Sequence, residues 1–369
     1  MKKTLLTICL VWMCFSLSAQ KIIDLSGKWS FSIDRQDNGE KEKWFSHTLN
    51  DFINLPGSMP EKLKGDEVTA KTQWTGSLYD SSYYYNPYME KYRKEGNIKF
   101  PFFLTPDKHY VGAAWYQKEV NIPADWKGER ILLFLERPHI ETTVWVNGQK
   151  TGMQNSLCVP HQYDITRYVR PGKCTITIRV DNRIKEINVG PDSHSITDQT
   201  QGNWNGIVGR ICLQTTPKTY FDDIQIYPEP EQKLARVKVV IKGTGTAKVK
   251  LSAESFNTDK KHIVPAIQQE IKLNKGVTET EMVLPMGNDM LLWDEFHPAL
   301  YKLKAEVTNG KKTEIKEIQF GMRRFEIKGK WFYVNGRKTQ LRGTVENCDF
   351  PLTGYAPMDV ESWERVFRI

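Results

Sequence analysis

Histidine is scarce in this 369-residue chain, with seven copies, and none stands at zinc-ligand spacing from a cysteine. Cysteine is scarcer still, with six copies and no C-x-x-C pair. Those gaps speak against a zinc ribbon or a dithiol redox centre, and no metal or other cofactor is expected. A mean hydropathy of -0.53 excludes a polytopic membrane protein. Dense basic blocks are missing too. The 52 Lys and Arg against 44 Asp and Glu leave a charge of +8, yet they alternate with acids, as in Glu40-Lys41-Glu42-Lys43. A nucleic-acid binder concentrates such charge on a stripe or tail. The excess therefore reads as a solvated surface, and no nucleic-acid partner is expected.

What is present starts at the N-terminus. Lys2 and Lys3 precede an apolar run from Leu5 to Leu17, and Ser18-Ala19-Gln20 supplies small residues for cleavage. This predicts a signal peptide over residues 1–20, cut after Ala19 or Gln20. The protein is then exported, periplasmic or extracellular, with no membrane attachment. Cleavage leaves Cys158, Cys174, Cys212 and Cys348. A Cys158–Cys174 disulfide across a strand pair and four small buried hydrophobes are both open readings.

The length calls for two or more domains. From Leu25 to about Thr219 the pattern is one of short strands and turns. Trp29, Phe31 and Ile33 alternate onto one face. Thr142 to Val146 alternates into Asn147-Gly148, a hairpin cue, and Cys174 to Val180 alternates again. No helical periodicity exceeds three turns, which predicts a β-sandwich or jelly roll. A second series starts at Phe221 and runs through Val237–Ile241, Lys248–Ala253, Ile263–Leu273 and Tyr301–Val307. Some seven short strands in about one hundred residues fit an immunoglobulin-like sandwich. After Gly321, Trp331 to Val334 leads into an Asn335-Gly336 turn, and Lys338 to Val345 reads as a strand. Asp359 caps an amphipathic helix with Trp363, Val366 and Phe367 on one face. That helix ends without a C-cap, so a fragment of a longer protein is expected.

Six segments, in order, resemble the N-terminal half of a glycoside hydrolase family 2 enzyme. They are Gly112-Ala113-Ala114-Trp115-Tyr116-Gln117-Lys118, Val144-Trp145-Val146-Asn147-Gly148, Val180-Asp181-Asn182-Arg183, Gln201 to Arg210, His297-Pro298-Ala299-Leu300-Tyr301 with Phe320-Gly321-Met322-Arg323, and Val334 to Gly343. The resemblance implies a mostly β chain: a jelly-roll sugar-binding domain over 21–219, an immunoglobulin-like β-sandwich over 220–321, and over 322–369 the first βα unit of a TIM barrel. It also implies an exported retaining β-glycosidase of β-galactosidase-like kind, cutting terminal O-glycosidic bonds with two glutamates about 5–5.5 Å apart. A barrel takes about 250 residues, so both glutamates are expected beyond this chain, and the chain alone is expected to be inactive. Its partner would be a β-linked oligo- or polysaccharide or a glycoconjugate, with homo-oligomerisation left open. The competing reading is a non-catalytic carbohydrate-binding or adhesion protein of two sandwiches, for which the tail from Trp331 to Ile369 has no use.

The resemblance also picks out residues. Arg342 ends the first barrel strand, where its planar donor fork could orient a sugar hydroxyl or simply form a structural ion pair. Glu346 and Asp349 follow; many family members carry Asn-Arg-His here, whereas this chain reads Val345-Glu346-Asn347. In relatives a loop of the sugar-binding domain contacts the terminal sugar, which makes Asp198, Asn203 and Trp204 candidates. Asp198 could accept from two hydroxyls or form a turn. Trp204 could stack on a pyranose or plug the core, and the plug is favoured. Tyr79, Tyr83, Tyr84, Tyr85, Tyr88 and Tyr92 crowd one stretch that reads as a packed insertion rather than a sugar platform.

Overall fold

The structure is a computed structural model that describes residues 20–368, except 77–79, 102, 158, 186–192, 194–196, 201, 344 and 346–349. The expected signal peptide therefore lies outside the described residues, as do Glu346, Asp349, Cys158 and Cys348. The chain divides into two units. One comprises Lys21–Thr216 together with Gly343–Ile369, and the other Pro217–Arg342.

The first unit is built on two antiparallel sheets. One runs in the order Gln149–Asn155, Glu141–Val146, Gly172–Asp181, Ala113–Ile122, Gly27–Asp34 and Asp51–Leu55. The other runs Ile22–Asp24, Gly206–Thr216, Arg130–His139 and His161–Asp164, with Gly57–Ser58 also paired to Gly206–Thr216. Period-two alternation decides the buried face. Trp29 and Phe31 are fully buried, Ile33 is half-buried, and they join Tyr116, Leu133, Val144, Ile178 and Leu213 in one core. The Asn147-Gly148 hairpin forms as expected, with φ of 49° and 76°, the left-handed pair that a two-residue turn requires. At Gly206 a Cβ would collide with the Gly57 and Ser58 backbone, so only glycine lets these chains meet. Behind the six-stranded sheet, Trp115 and Trp145 stack at 4.9 Å, and Trp115 Nε1 donates to Asp34 at 2.9 Å. Much of the tryptophan content is thus structural. Cys174 and Cys212 are buried free thiols.

The second unit departs from the expected count of short strands. Its sheet uses Tyr220–Glu229, Leu234–Phe256, Ile263–Pro285, Leu300–Asn309 and Lys312–Phe320. Two of these have 23 residues each and pair with one another along their length. The two strands expected at Val237–Ile241 and Lys248–Ala253 are one, Leu234–Phe256, with a register shift between Gly243 and Gly245. The first half of Leu234–Phe256 pairs with Tyr220–Glu229, the second with Leu300–Asn309. Val237, Ile241, Leu251, Tyr301 and Val307 share its core.

The expected βα unit does not take the form the sequence predicts. Phe325–Lys328, Trp331–Val334 and Arg337–Thr339 make a three-stranded antiparallel sheet in the second unit. The last strand stops at Thr339 instead of reaching Val345, because a strand holds only where a neighbour pairs with it. Among the described residues none pairs beyond Thr339. The expected helix is present at Val360–Phe367, with Asp359 Oδ1 accepting from Ser362 N at 2.8 Å. The segment before it is clipped to the first unit. Ser58 Oγ donates to the Thr353 carbonyl at 2.5 Å, and Tyr355 Oη donates to Glu61 at 2.7 Å.

Candidate functional site

The loop that precedes Gly206–Thr216 carries three of the candidate residues, and hydrogen bonds fix it on both sides. Asp198 N donates to the Thr75 carbonyl at 3.1 Å, and Leu104 N to the Asp198 carbonyl at 2.7 Å. The Asp198 carboxylate faces inward, 1% exposed. Its Oδ2 accepts from Thr75 N at 2.5 Å and its Oδ1 from Asn203 N at 3.0 Å. His109 Nε2 lies 3.7 Å from the same Oδ1. Asn203 Nδ2 donates to Thr75 Oγ1 at 3.0 Å and to the Asn182 carbonyl at 3.2 Å. Trp204 is buried, stacked on His139 with centroids 4.6 Å apart and tilted against Tyr355 at 5.4 Å. Gly354 permits that contact, since a Cβ there would come 2.8 Å from Trp204.

Polar groups gather around this loop without full pairing. Among the described residues, Trp74 Nε1, His109 Nε2, His139 Nδ1, Gln199 Oε1 and Asn203 Oδ1 are buried with no hydrogen-bond partner. Burial, reinforced by the charge of Arg137, pushes His139 down to about 3, so its ring is neutral at physiological pH. Asn203 approaches that ring and favours its protonated form, without closing a hydrogen bond of normal geometry. A cavity of about 260 Å³ opens beside Thr75, walled by Trp74, Tyr83, Tyr84, Phe100 and Phe103 with Asp80 at its rim. Tyr83 stacks on Phe100 at 4.8 Å and Trp74 on Phe103 at 5.5 Å. Tyr83 is buried, whereas Tyr84, Tyr85 and Tyr88 are exposed.

The strand leading into the loop ends in a charge cluster. Arg179 Nη2 donates to Asp37 at 2.6 Å and to Asp181 at 3.0 Å. Arg183 and Lys185 also reach Asp181, at 2.6 and 2.8 Å. Burial alone would raise the Asp181 carboxyl, yet these cations hold it well below the usual carboxylate range.

Asp198, Asn203 and Trp204 are therefore brought together. Arg342 belongs to the other unit, where it is exposed and lines a cavity with Trp293, Phe296 and Arg323. Glu346 and Asp349 lie outside the described residues. The sequence reading missed Trp74, Thr75, His109 and His139. Pairing brings His139 opposite Gly206, and no spacing signals that. Among the described residues, no three His, Cys, Asp or Glu side chains could share a metal ion. No helix among them is long and apolar enough to cross a membrane. Asp198, Asn203 and Trp204 are buried and hold the loop in place, and the aromatic walls of the neighbouring cavity are the surface that opens beside it.

Comparison with known proteins bears on what would be recognised. Residues 22–217 match the sugar binding domain of glycosyl hydrolases family 2, and residues 219–323 match a second domain of the same family. The chain belongs to glycosyl hydrolase family 2. Its family relatives include a β-glucuronidase of Paenibacillus borealis, 24% identical over 355 residues that cover 91% of this chain and 51% of that protein. A β-galactosidase large subunit of Latilactobacillus sakei is 23% identical, covering 92% of this chain and 52% of that protein. Human β-glucuronidase is 23% identical, with 90% and 49% covered. The chain spans about half the length of the curated relatives it matches. The solved apo structure of a Ruminococcus gnavus β-glucuronidase superposes with a TM-score of 0.61 at 19% identity. It covers 88% of this chain and 49% of that one, a likeness of fold.

Proposed function

We propose that this chain is the N-terminal portion of an exported retaining β-glycosidase that removes terminal sugars, β-galactosidase-like in kind, with β-glucuronidase the nearest rival. The ordered family match from residue 22 to 323 carries this reading. The catalytic acid/base and nucleophile belong to a (β/α)₈ barrel following these residues, and no side chain of this chain takes either role. Its contribution is one wall of the substrate pocket. Asp198 and Asn203 shape that wall through the Thr75 strap, Trp204 wedges it against His139, and the aromatic cavity presents ring faces on which a pyranose stacks. By the family resemblance, Arg342, Glu346 and Asp349 are further candidates for polar contacts to the sugar.

The test uses the complete gene product and the 369-residue chain side by side, on p-nitrophenyl β-galactoside, β-glucuronide and β-mannoside. The complete product should cleave one of them, the galactoside foremost, with proton NMR showing the β-anomer released first. The 369-residue chain should cleave none. Inversion at the anomeric carbon, a complete product inert on all three, or activity in the short chain would each overturn the reading. Export is checked separately: N-terminal sequencing of the native protein should begin at Gln20 or Lys21.

A further inference from the structure

Most of the net charge of this chain is concentrated in one stretch. Residues 322–342 hold seven basic side chains and one acid, Glu326, a surplus of six against eight for the whole chain. They include the antiparallel sheet Phe325–Lys328, Trp331–Val334 and Arg337–Thr339, which lies outside both ranges matched to family 2. Register sorts its side chains into two unlike faces. Phe325, Val334 and Arg337 share a row, as do Ile327, Phe332 and Thr339, and this face is largely apolar. On the other face Glu326, Tyr333 and Lys338 form one row, with Lys328 and Trp331 beside it.

That second face is cationic and built around rings. Lys338 Nζ sits 3.2 Å above the Trp331 centroid, Lys330 Nζ is 5.5 Å from it, and Lys328 Nζ is 5.4 Å from Tyr333. Trp331 remains 37% exposed. Glu326 is taken up by Arg324 at 2.7 Å and Lys328 at 3.1 Å. Among the described residues, neither Lys330 nor Lys338 has a carboxylate partner. The cation–π contacts localise these ammonium heads beside Trp331, so less rotamer freedom is lost when an anion arrives. Strands lie roughly 4.8 Å apart, so Lys328 and Lys338, two strands apart, are spaced on the order of 10 Å. Such spacing suits a polymer with repeated charges better than a single small anion.

We propose that this face docks an anionic polysaccharide, a polyuronate chain whose carboxylates pair with Lys328, Lys330 and Lys338. The choice of a carbohydrate over other polyanions rests on the glycosidase reading above. The rings agree with it. Nucleic-acid platforms leave aromatic faces open for bases, whereas Lys338 covers the face of Trp331. The site would tether the protein to its polymer through the second unit.

The full chain is titrated with polygalacturonate, neutral dextran and duplex DNA by biolayer interferometry at low and high salt. Polygalacturonate should bind, dextran should not, and added salt should weaken binding because the charges are exposed. The double variant Lys330→Glu/Lys338→Glu should bind at least roughly tenfold more weakly, the scale of two lost charge-assisted contacts. Lys330→Arg/Lys338→Arg should retain binding. Both substituted side chains, Lys330 and Lys338, are exposed, and an unchanged circular dichroism melt confirms the fold. Equal binding of dextran, tighter binding of DNA than of polygalacturonate, or an unaffected double Glu variant would overturn the proposal. None of these readouts needs catalysis, so a failed glycosidase assay is a separate result.

Discussion

Leu251 and Trp204 are both nearly free of solvent, yet they occupy different kinds of interior. Leu251 lies in the second unit among Val249, Tyr301 and Leu303, on strands whose outward side chains make pairs such as Lys304–Glu306. Trp204, in the first unit, lies against an imidazole, a phenol and a loop of amides and carboxylates. Among the described residues, eight buried side-chain atoms lack a protein hydrogen-bond partner, and all but Glu229 Oε2 belong to the first unit. Each such atom costs about 1–3 kcal/mol relative to a paired one. The first unit gathers five of them around one loop, so its interior there is more polar than that of the second. The second unit carries no comparable burden and reads as a scaffold.

The contrast can be tested at several depths. Trp204→Ala should have the largest effect, about 3–5 kcal/mol, the usual range for a buried ring. Hydrogen exchange read by mass spectrometry should show it in first-unit peptides, and equal deprotection of residues 234–309 would break the comparison. Asp181→Asn comes next, at about 3 kcal/mol, because it removes the buried carboxylate that Arg179, Arg183 and Lys185 share. Chemical denaturation of the variant reads this directly.

Acidification should act more gently. The folded His139 titrates at about 3 and the unfolded one at about 6.5. Between those values only the unfolded chain takes up the proton, so stability present at neutral pH is lost as pH falls from about 6.5 towards 3. The slope is at most roughly 1.4 kcal/mol per pH unit. Asp181 has the opposite chemistry but the same consequence. Its depressed carboxyl contributes stability above about 3.9 that disappears at lower pH. His139→Phe should flatten melting temperature against pH between 6 and 4; an unchanged slope would assign the acid sensitivity elsewhere. Lys304→Ala should have the smallest effect, within about 0.5 kcal/mol, as for most exposed ion pairs.

How far the sequence carries depends on the interaction involved. The alternation of Trp29 and Phe31, the Asn147-Gly148 turn and the Asp359 cap are local patterns, and each is found where expected. Gly243 and Gly245 mislead, because a glycine that ends a strand and a glycine that carries a bulge look alike before pairing is known. The loop bearing Asp198 could be named from resemblance, but its supports come from Thr75, Leu104, His109 and His139, up to 128 residues away for the Asn203–Thr75 bond. No periodicity encodes such long-range contacts.

The clip between Ser58 and Thr353 joins residues 295 positions apart. In order of synthesis, the chain makes the body of the first unit, then all of the second, and only then Phe350 to Tyr355. At about 5–20 residues per second, Trp204 waits on the order of ten seconds for Tyr355 to cover it. During that interval the nascent protein shows chaperones and proteases an indole face that the finished one hides.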